Sequence, residues 1–191
     1  ARRSSTATTW RCDPMHGLFF EVRPKPGHMV HYFEHVDRLK PVLARHRGLV
    51  FLDRYRPLDD EGALLSHQLW EDEAAIAAWR ADATHRASQS AGRTLHFESY
   101  RIRVGTELAA TDGPTRYLLA AYGPSAIDLP GGRAHESVNH AGTFLTLCTP
   151  DSAETARDLA REAQAQGAET LRLFRVDRDY TLTDRAEAPP R

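Results

Sequence analysis

WEDEAAIAAWRADATHRASQSAGRTLHFESY, residues 70–100, is the stretch of this chain that decides its fold. The pattern predicts that a strand ends on Trp70 and that an amphipathic helix carrying Trp79 and His85 follows it. Gly92 is expected to stop that helix, because glycine is the residue that most often follows a helix C-terminus. A second strand with alternating apolar residues closes the stretch.

The residues before this stretch complete an α+β unit. Strands are expected at 17–23, 49–57, 63–70 and 94–104, with a first helix at 28–45. Asp59 to Gly62 predicts a turn between the second and third strands, since these residue types tolerate left-handed backbone. The order β-α-β-β-α-β is that of a ferredoxin-like, split βαβ domain.

The C-terminal half repeats the layout of residues 70–100. TLCTPDSAETARDLAREAQAQGAETLRLFRVDRDY predicts a strand, a capped helix, a glycine and an alternating strand. The expected elements are strands at 117–122, 143–149 and 170–181, a helix at 151–166, a linker at 109–115 and, in place of a first helix, a loop at 124–142. We therefore expect a ferredoxin-like domain at 17–108 and a second, degenerate ferredoxin-like module at 115–183. The alternative is an accidental likeness, since βαβ units of this size are common.

Composition excludes several classes of function. The formal net charge is −1 and Lys25 and Lys40 are the only lysines, which gives no reason to expect nucleic acid or a membrane surface as a partner. No segment has the roughly 20 apolar residues of a membrane span. Cys12 and Cys148 lack a metal-type spacing, so free thiols in a reducing compartment are expected. The expected location is the cytoplasm.

The pattern W…(8)…W…H…Q…G…Y in residues 70–100 resembles that of the antibiotic biosynthesis monooxygenase family, and the resemblance covers residues 17–108. It implies a dimeric α+β barrel, in which two subunits pair sheet against sheet and a pocket lies between each sheet and its own helices. A four-stranded sheet with helices on one face also leaves its other face uncovered, which favours a homodimer. Alternatively, the second module covers that face within one chain and makes a pseudo-dimeric monomer.

The resemblance also implies an activity, because several members oxidise polycyclic aromatic substrates with molecular oxygen and without metal or flavin. It implies an aromatic, phenolic (quinol-type) small-molecule substrate and no cofactor. His85 and Trp79 would be the catalytic residues, and Phe20, Trp70 and Tyr100 would bind the substrate. A cavity of roughly 300 Å³ or more lined by His85 and a tryptophan would favour an enzyme.

Two other interpretations of these residues stay open. The tryptophans are the right size to fill the core, and His85 could simply neutralise the dipole at a helix end. The protein would then be a non-catalytic small-molecule-binding or accessory protein, with its pocket filled by Trp79, Phe19 or Phe20.

Haem-degrading members of the family use an asparagine on the first strand, a helix tryptophan and a histidine ten residues later. Phe20 stands near the asparagine position, and His85 follows Trp79 by six residues. A shift of four residues moves the histidine by about 6 Å along a helix. The sequence therefore disfavours haem.

Three histidines on the first helix, His28, His31 and His35, include an i, i+4 pair of the kind that can chelate a transition metal. Two nitrogens do not make a site, and a third ligand such as Glu34 or a residue of a partner chain would be required. Packing beside the apolar stripe is the alternative role, and no metal site is predicted.

Polar residues of the loop at 124–142 form a second candidate cluster, His135, Asn139 and His140, which could line a pocket or hold a metal. No cysteine or aspartate cluster accompanies them.

Arginines alternate along two predicted strands, where an ion-paired or solvated face is expected. They are Arg101, Arg103, Arg172, Arg175 and Arg178.

Overall fold

The structure is a computed structural model that describes residues 14–109 and 116–190. Its central feature is one closed barrel of eight strands with helices on the outside. Cys12 and nearly all of the expected linker at 109–115 lie outside the described residues.

The N-terminal half supplies four strands and three helices. In chain order these are β1 (His16–Pro24), α1 (Met29–Leu43), β2 (Leu49–Pro57), β3 (Leu64–Trp70), α2 (Glu73–Ala81), α3 (Ala83–Ala91) and β4 (Phe97–Glu107). A π-helical turn, Gly92–His96, links α3 to β4.

The C-terminal half supplies four strands and one helix. These are β5 (Tyr117–Gly123), β6 (Arg133–Ser137), β7 (Phe144–Cys148), α4 (Ala153–Ala165) and β8 (Thr170–Thr181). The expected helix and three expected strands of this half are confirmed to within two residues at each end.

The barrel order is β1-β3-β2-β6-β7-β5-β8-β4 and every neighbouring pair is antiparallel. Each half contributes four consecutive strands in ferredoxin-like order, so the α+β class and the ferredoxin-like modules are confirmed. The halves meet along two seams, where Tyr55 pairs with Ser137 and Arg101 pairs with Thr181. The chain thus closes its barrel with its own strands, as in the pseudo-dimeric arrangement.

Alternation along the strands sorts the apolar residues into an inner and an outer layer. The inner layer fills the barrel with side chains from both halves, including Phe19, Tyr55, Leu118 and Phe174. The outer layer packs each half's sheet against its own helices. The barrel interior is therefore a core, and the space for a site lies beneath the helices.

One polar pair is enclosed in the barrel interior. His67 is completely buried, its Nε2 lies 2.6 Å from the Tyr122 hydroxyl, and its ring stacks on Phe19. Nδ1 lies 3.3 Å from the Leu18 carbonyl. Burial lowers the pKa of His67 to about 3, so the ring is neutral at pH 7.

The outer layers of the two halves differ. In the C-terminal half, residues 124–132 replace the first helix and bring Ile127 and Leu129 into the core beneath α4. Gln166, just past α4, fixes this segment by bonding both the backbone N–H and the carbonyl of Asp128, at 2.9 and 2.7 Å. The expected absence of a first helix is confirmed among the described residues.

The prediction of one continuous helix through Trp79 and His85 was wrong. Asp82 breaks it with extended-type backbone (φ −56°, ψ 130°), ending α2 and capping α3. Its carboxylate accepts hydrogen bonds from the backbone N–H groups of Thr84 and His85 at 2.9 and 3.0 Å. An aspartate side chain that accepts hydrogen bonds from two backbone N–H groups can interrupt a helix in this way.

The role expected for Gly92 also needs correction. Gly92 caps α3 in right-handed helical geometry, and the chain continues into the π-helical turn. A β-carbon at this position would lie 2.4 Å from the ring of Phe97. The glycine is therefore required because Phe97 packs directly against the backbone.

Strand β6 falls inside the segment expected to be a loop. Its sequence, RAHES, contains no β-branched or aromatic residue and so gives no local indication of a strand. It forms because pairing with β2 and β7 closes the barrel.

Candidate functional site

A cavity of about 320 Å³ lies between the outer face of the N-terminal sheet and helices α1, α2 and α3. We call it the helix-side cavity. Aromatic and aliphatic side chains form most of its wall, and the polar groups are few. The lining residues are Phe20, Tyr32, His35, Val36, Leu39, Lys40, Leu43, Ala44, Leu49, Leu52, Arg54, Ser66, Gln68, Trp79, His85, Ser88, Gln89 and Phe97.

The strand register places the polar groups on the floor of the cavity. Ser66 on β3 is the direct partner of Phe20 on β1 and of Arg54 on β2. Gln68 lies in the next row on the same face. A serine, a glutamine and an arginine therefore lie together on a face that is otherwise apolar.

Arg54 is half-buried, and no acidic side chain among residues 14–109 and 116–190 forms an ion pair with it. Its Nε is buried without a hydrogen-bond partner in that part of the chain. The guanidinium lies near the hydroxyl of Tyr32, whose pKa is raised by burial and partly lowered again by Arg54. An uncompensated cation in an apolar cavity favours an anionic ligand.

The alternating arginines behave differently, since each pairs with a carboxylate as the sequence predicts. The pairs are Arg101–Asp179, Arg103–Glu21, Arg172–Glu107, Arg175–Asp177 and Arg178–Glu73, at 2.5 to 2.8 Å. Their charges are compensated within the protein.

The amide of Gln68 has a fixed orientation. Its Oε1 accepts a 2.9 Å hydrogen bond from the indole Nε1 of the fully buried Trp70. Since the oxygen accepts from Trp70, the amide NH₂ is the group that can donate a hydrogen bond into the cavity. Trp70 itself does not line the cavity and acts on it through Gln68.

His85 lies flat on Trp79, with ring centroids 3.9 Å apart and 12° between the planes. Its Nδ1 donates to the Trp79 carbonyl at 2.9 Å, which leaves the lone pair on Nε2. Nε2 has no hydrogen-bond partner among the described residues. Burial lowers the pKa of His85 to about 4, so the ring is neutral and able to accept a proton at pH 7.

A second histidine, His35 on α1, reaches the cavity from the neighbouring helix. Its Nδ1 lies 3.2 Å from the hydroxyl of the buried Ser88 on α3. Burial is the main reason that the pKa of His35 is lowered. This contact ties α1 to α3 across the cavity.

Three of the five predicted site residues line the cavity together: Phe20, Trp79 and His85. Tyr100 lies outside it, with its hydroxyl accepting a 2.6 Å hydrogen bond from Arg185 and its ring 5.9 Å from that of Phe20. Phe19 points into the barrel, so it does not fill the cavity.

Sequence reasoning missed Arg54 and Gln68. Alternation places Leu52 and Arg54 on one side of β2, and the structure shows that this side faces the helices, where a charged residue is uncommon. Gln68 lies in a strand whose residues are all buried, and a polar residue in such a strand also indicates a hydrogen-bonded or functional position.

The loop cluster forms a network around a carboxylate. Asp53 is buried and accepts hydrogen bonds from Ser137 Oγ and Asn139 Nδ2, each at 2.8 Å. His140 Nδ1 lies 3.5 Å from the same carboxylate, while His135 is buried and bonds the Leu145 carbonyl. Burial acts to raise the pKa of Asp53, but hydrogen bonds from Asn139, Ser137 and the backbone of Arg54 outweigh it, and the pKa is lowered.

Two further observations concern the setting of the protein. Cys148 is a free, buried thiol, and burial raises its pKa to about 11. Among the described residues, no helix has the length and apolar character needed to cross a bilayer.

The fold and the site together define a class: an α+β barrel protein with an apolar, aromatic-walled cavity between sheet and helices. Residues 15–91 match the model of the family described as antibiotic biosynthesis monooxygenase.

Two curated relatives match at the level of sequence. A protein of Pyricularia oryzae named jasmonate monooxygenase ABM is 36% identical over 96 residues, which are 50% of this chain and 45% of that protein. The Bacillus subtilis protein YqjZ, described as uncharacterized, is 32% identical over 73 residues, or 38% of this chain and 62% of that one. The chain thus spans less than two thirds of either relative.

A solved structure of a protein from Shewanella oneidensis is similar at a TM-score of 0.46 and 14% identity. The match covers 49% of this chain and 91% of that one.

Proposed function

We propose that this protein is a cofactor-independent monooxygenase acting on an aromatic, phenolic small molecule of the quinol or anthrone type. One observation carries the proposal: the helix-side cavity combines a neutral base, His85, with an unpaired cation, Arg54, between aromatic walls. The base removes a proton from the substrate, and the cation stabilises the anion that results.

The proposed reaction conserves atoms and electrons at each step. Nε2 of His85 takes a proton from an activated CH₂ group or its phenol tautomer, and the carbanion forms a C–O bond with molecular oxygen. The peroxide anion recovers the proton from His85. Loss of the second C–H proton and cleavage of the O–O bond then give a C=O group and water, so the substrate supplies all four electrons that reduce O₂.

The magnitudes explain why a cation is needed. A phenol has a pKa of about 10, and His85 has a pKa of about 4, so proton transfer is uphill by about six units or roughly 8 kcal/mol. Opposite charges about 4 Å apart in a partly screened site attract by about 4 kcal/mol. Attraction of the anion to both the imidazolium and Arg54 is therefore of the size required.

The walls of the cavity suit a flat substrate. Trp79, Phe20 and Phe97 present aromatic rings, and the aliphatic side chains of α1 exclude water. The floor adds Ser66 and the Gln68 amide as hydrogen-bond donors for an oxygen substituent. Aromatic stacking with a few fixed polar contacts is how small-molecule cavities of this size achieve orientation.

The comparisons support oxygenation as the type of reaction. The domain model is that of monooxygenases, and the relative from Pyricularia oryzae is named as a jasmonate monooxygenase. The substrate proposed here is drawn from the cavity and from the family resemblance.

Association and location complete the proposal. We expect the protein to act as a pseudo-dimeric monomer, because its barrel closes on itself through two seams. The free thiol of Cys148 is compatible with the reducing cytoplasm expected from the sequence.

The test is oxygen consumption by metal-free protein with a panel of anthrone- and quinol-type compounds. His85→Ala is expected to abolish turnover while the protein stays folded, and Arg54→Met is expected to lower kcat more than Arg54→Lys does, because lysine keeps the charge. His140→Ala is the matched control. This exposed histidine does not line the cavity, so the variant should keep its activity.

A folded His85→Ala protein with full oxygenase activity would rule out this mechanism. Substrate analogues that bind in the cavity without any oxygen uptake by the wild-type protein would instead identify a non-catalytic binding protein.

A further inference from the structure

Four histidine side chains meet where the start of α1 faces the π-helical turn. Ring nitrogens of His28, His31 and His96 all lie within 4.8 Å of one another, and the ring of His35 is centred 5.5 Å from that of His96. The three are neither fully buried nor fully exposed. His96 is the third ligand that the sequence lacked, and it comes from a segment 61 or more residues away along the chain.

The contact between His28 and His96 brings two lone-pair-bearing atoms together. Their Nδ1 atoms are 3.0 Å apart, which requires that one proton be shared between them. Two nitrogens bound to one tetrahedral zinc ion at about 2.05 Å lie about 3.3 Å apart. Between these two rings a metal ion can therefore replace the shared proton after a shift of a few tenths of an ångström, whereas the full set of three ligand atoms, within 4.8 Å of one another, must draw closer by more than that.

His31 is oriented by a carboxylate in the way that metal-binding histidines commonly are. Its Nδ1 donates to Oε2 of Glu34 at 2.9 Å, which leaves Nε2 as the free ligand atom. Glu34 lies one helical turn further along α1 and also brings negative charge close to the cluster. The pairing both fixes the tautomer and increases the affinity of the ring for a cation.

We propose that His28, His31 and His96 bind one divalent transition-metal ion of the zinc class, with Glu34 orienting His31. Three imidazoles and an open fourth position suit zinc, nickel or copper rather than calcium or magnesium, which prefer oxygen ligands. The ion is structural. It joins the first turn of α1 to the π-helical turn, next to His35 and Phe97 at the edge of the helix-side cavity.

This site is independent of the proposed oxygenation, because none of its three ligands lines the cavity. A protein that binds zinc but consumes no oxygen would support this inference and contradict only the oxygenase proposal. A protein that consumes oxygen but binds no zinc would support the oxygenase proposal and contradict only the metal site.

The test is calorimetric titration of tag-free, chelator-treated protein with Zn²⁺, followed by absorption spectroscopy with Co²⁺ as a probe of tetrahedral geometry. We expect one ion per chain, and a rise in melting temperature with metal, because a ligand that binds the folded state stabilises it. Glu34→Gln should weaken binding by about 10-fold. His96→Ala should weaken it further and remove the visible Co²⁺ band.

His140→Ala is the matched control, since this exposed histidine lies outside the cluster and its loss should leave metal affinity unchanged. Circular dichroism confirms that each variant is folded, and Glu34→Gln leaves all three ligands in place. No zinc binding by the wild-type protein, or binding that survives His28→Ala, His31→Ala and His96→Ala alike, would overturn the proposal.

Discussion

The imidazole of His85 and the indole of Trp79 form a parallel stack, and the same histidine is tethered to the Trp79 backbone by its Nδ1. The two residues belong to different helices, with the break at Asp82 between them. The break therefore turns the chain back so that His85 covers the ring of Trp79. One side chain is buried for packing, while the other keeps a ring nitrogen available to the cavity.

The two members of this stack should differ in what they contribute to stability. Trp79→Ala is expected to lower the free energy of unfolding by about 3–5 kcal/mol, because a buried indole is lost. His85→Ala should cost less than about 2 kcal/mol, since the ring is only partly buried and makes one hydrogen bond. Urea denaturation measures both. Equal losses in the two variants would contradict the division of roles.

The pH dependence of activity should report the lowered pKa of His85. A base must be unprotonated, and the pKa of about 4 keeps His85 neutral over the whole range above pH 5. We expect kcat/KM for a substrate without its own ionisation in this range to stay level from pH 7 to about 5 and to fall through about pH 4. A midpoint near 6.5 would mean that the base is a solvated histidine elsewhere.

The buried His67, in contact with the half-buried Tyr122, should make the protein acid-sensitive. The folded-state pKa of His67, about 3, lies below its usual 6.5, so the unfolded chain binds a proton that the folded protein does not. Stability is therefore fully present above about pH 6.5 and falls as the pH drops towards 3, by about 1.4 kcal/mol per pH unit for this residue.

His67→Gln isolates this contribution, because glutamine can still form hydrogen bonds but does not titrate. Unfolding free energies measured at several values between pH 6 and 4 should show a slope smaller by about 1.4 kcal/mol per pH unit in the variant. The quantity to compare is the change of unfolding free energy with pH, and not the unfolding free energy itself. Parallel lines for the two proteins would show that the pKa of His67 is not lowered in the folded state.

The closed barrel predicts a monomer. Within residues 14–109 and 116–190 all eight strands have partners on both sides, so that part of the chain leaves no strand edge for a second copy. Light scattering should give a mass near 21.4 kDa across a wide range of protein concentration. A mass of twice that value at micromolar concentration would favour the homodimer that the family resemblance first implies.

Much of the fold could be predicted from local pattern. Strand β2 at Leu49–Pro57 and strand β8 at Thr170–Thr181 were expected with the same bounds, because apolar alternation is a direct consequence of strand geometry. Strand β6 was not, since a strand created by its neighbours needs no propensity of its own. The break at Asp82 was missed because the Asp82 carboxylate competes with the helix for backbone N–H groups, and the spacing of apolar residues carries no information about that competition.

The site could be predicted only in part. His85, Trp79 and Phe20 lie on elements that were assigned correctly, and their side chains reach one cavity. Arg54 required knowledge of which face of β2 meets the helices. The metal-binding cluster required the contact between His28 and His96, which are brought together by tertiary packing alone.

The filling of the C-terminal outer layer by Ile127 and Leu129 has a consequence for how this protein can vary. In a homodimer every substitution appears in both copies, so the two pockets must change together. Here the two halves are encoded separately: Ile127 and Leu129 pack beneath α4, while the helix-side cavity lies in the N-terminal half. A substitution beneath α4 can therefore alter the apolar layer of one half without changing the side chains that line the cavity of the other.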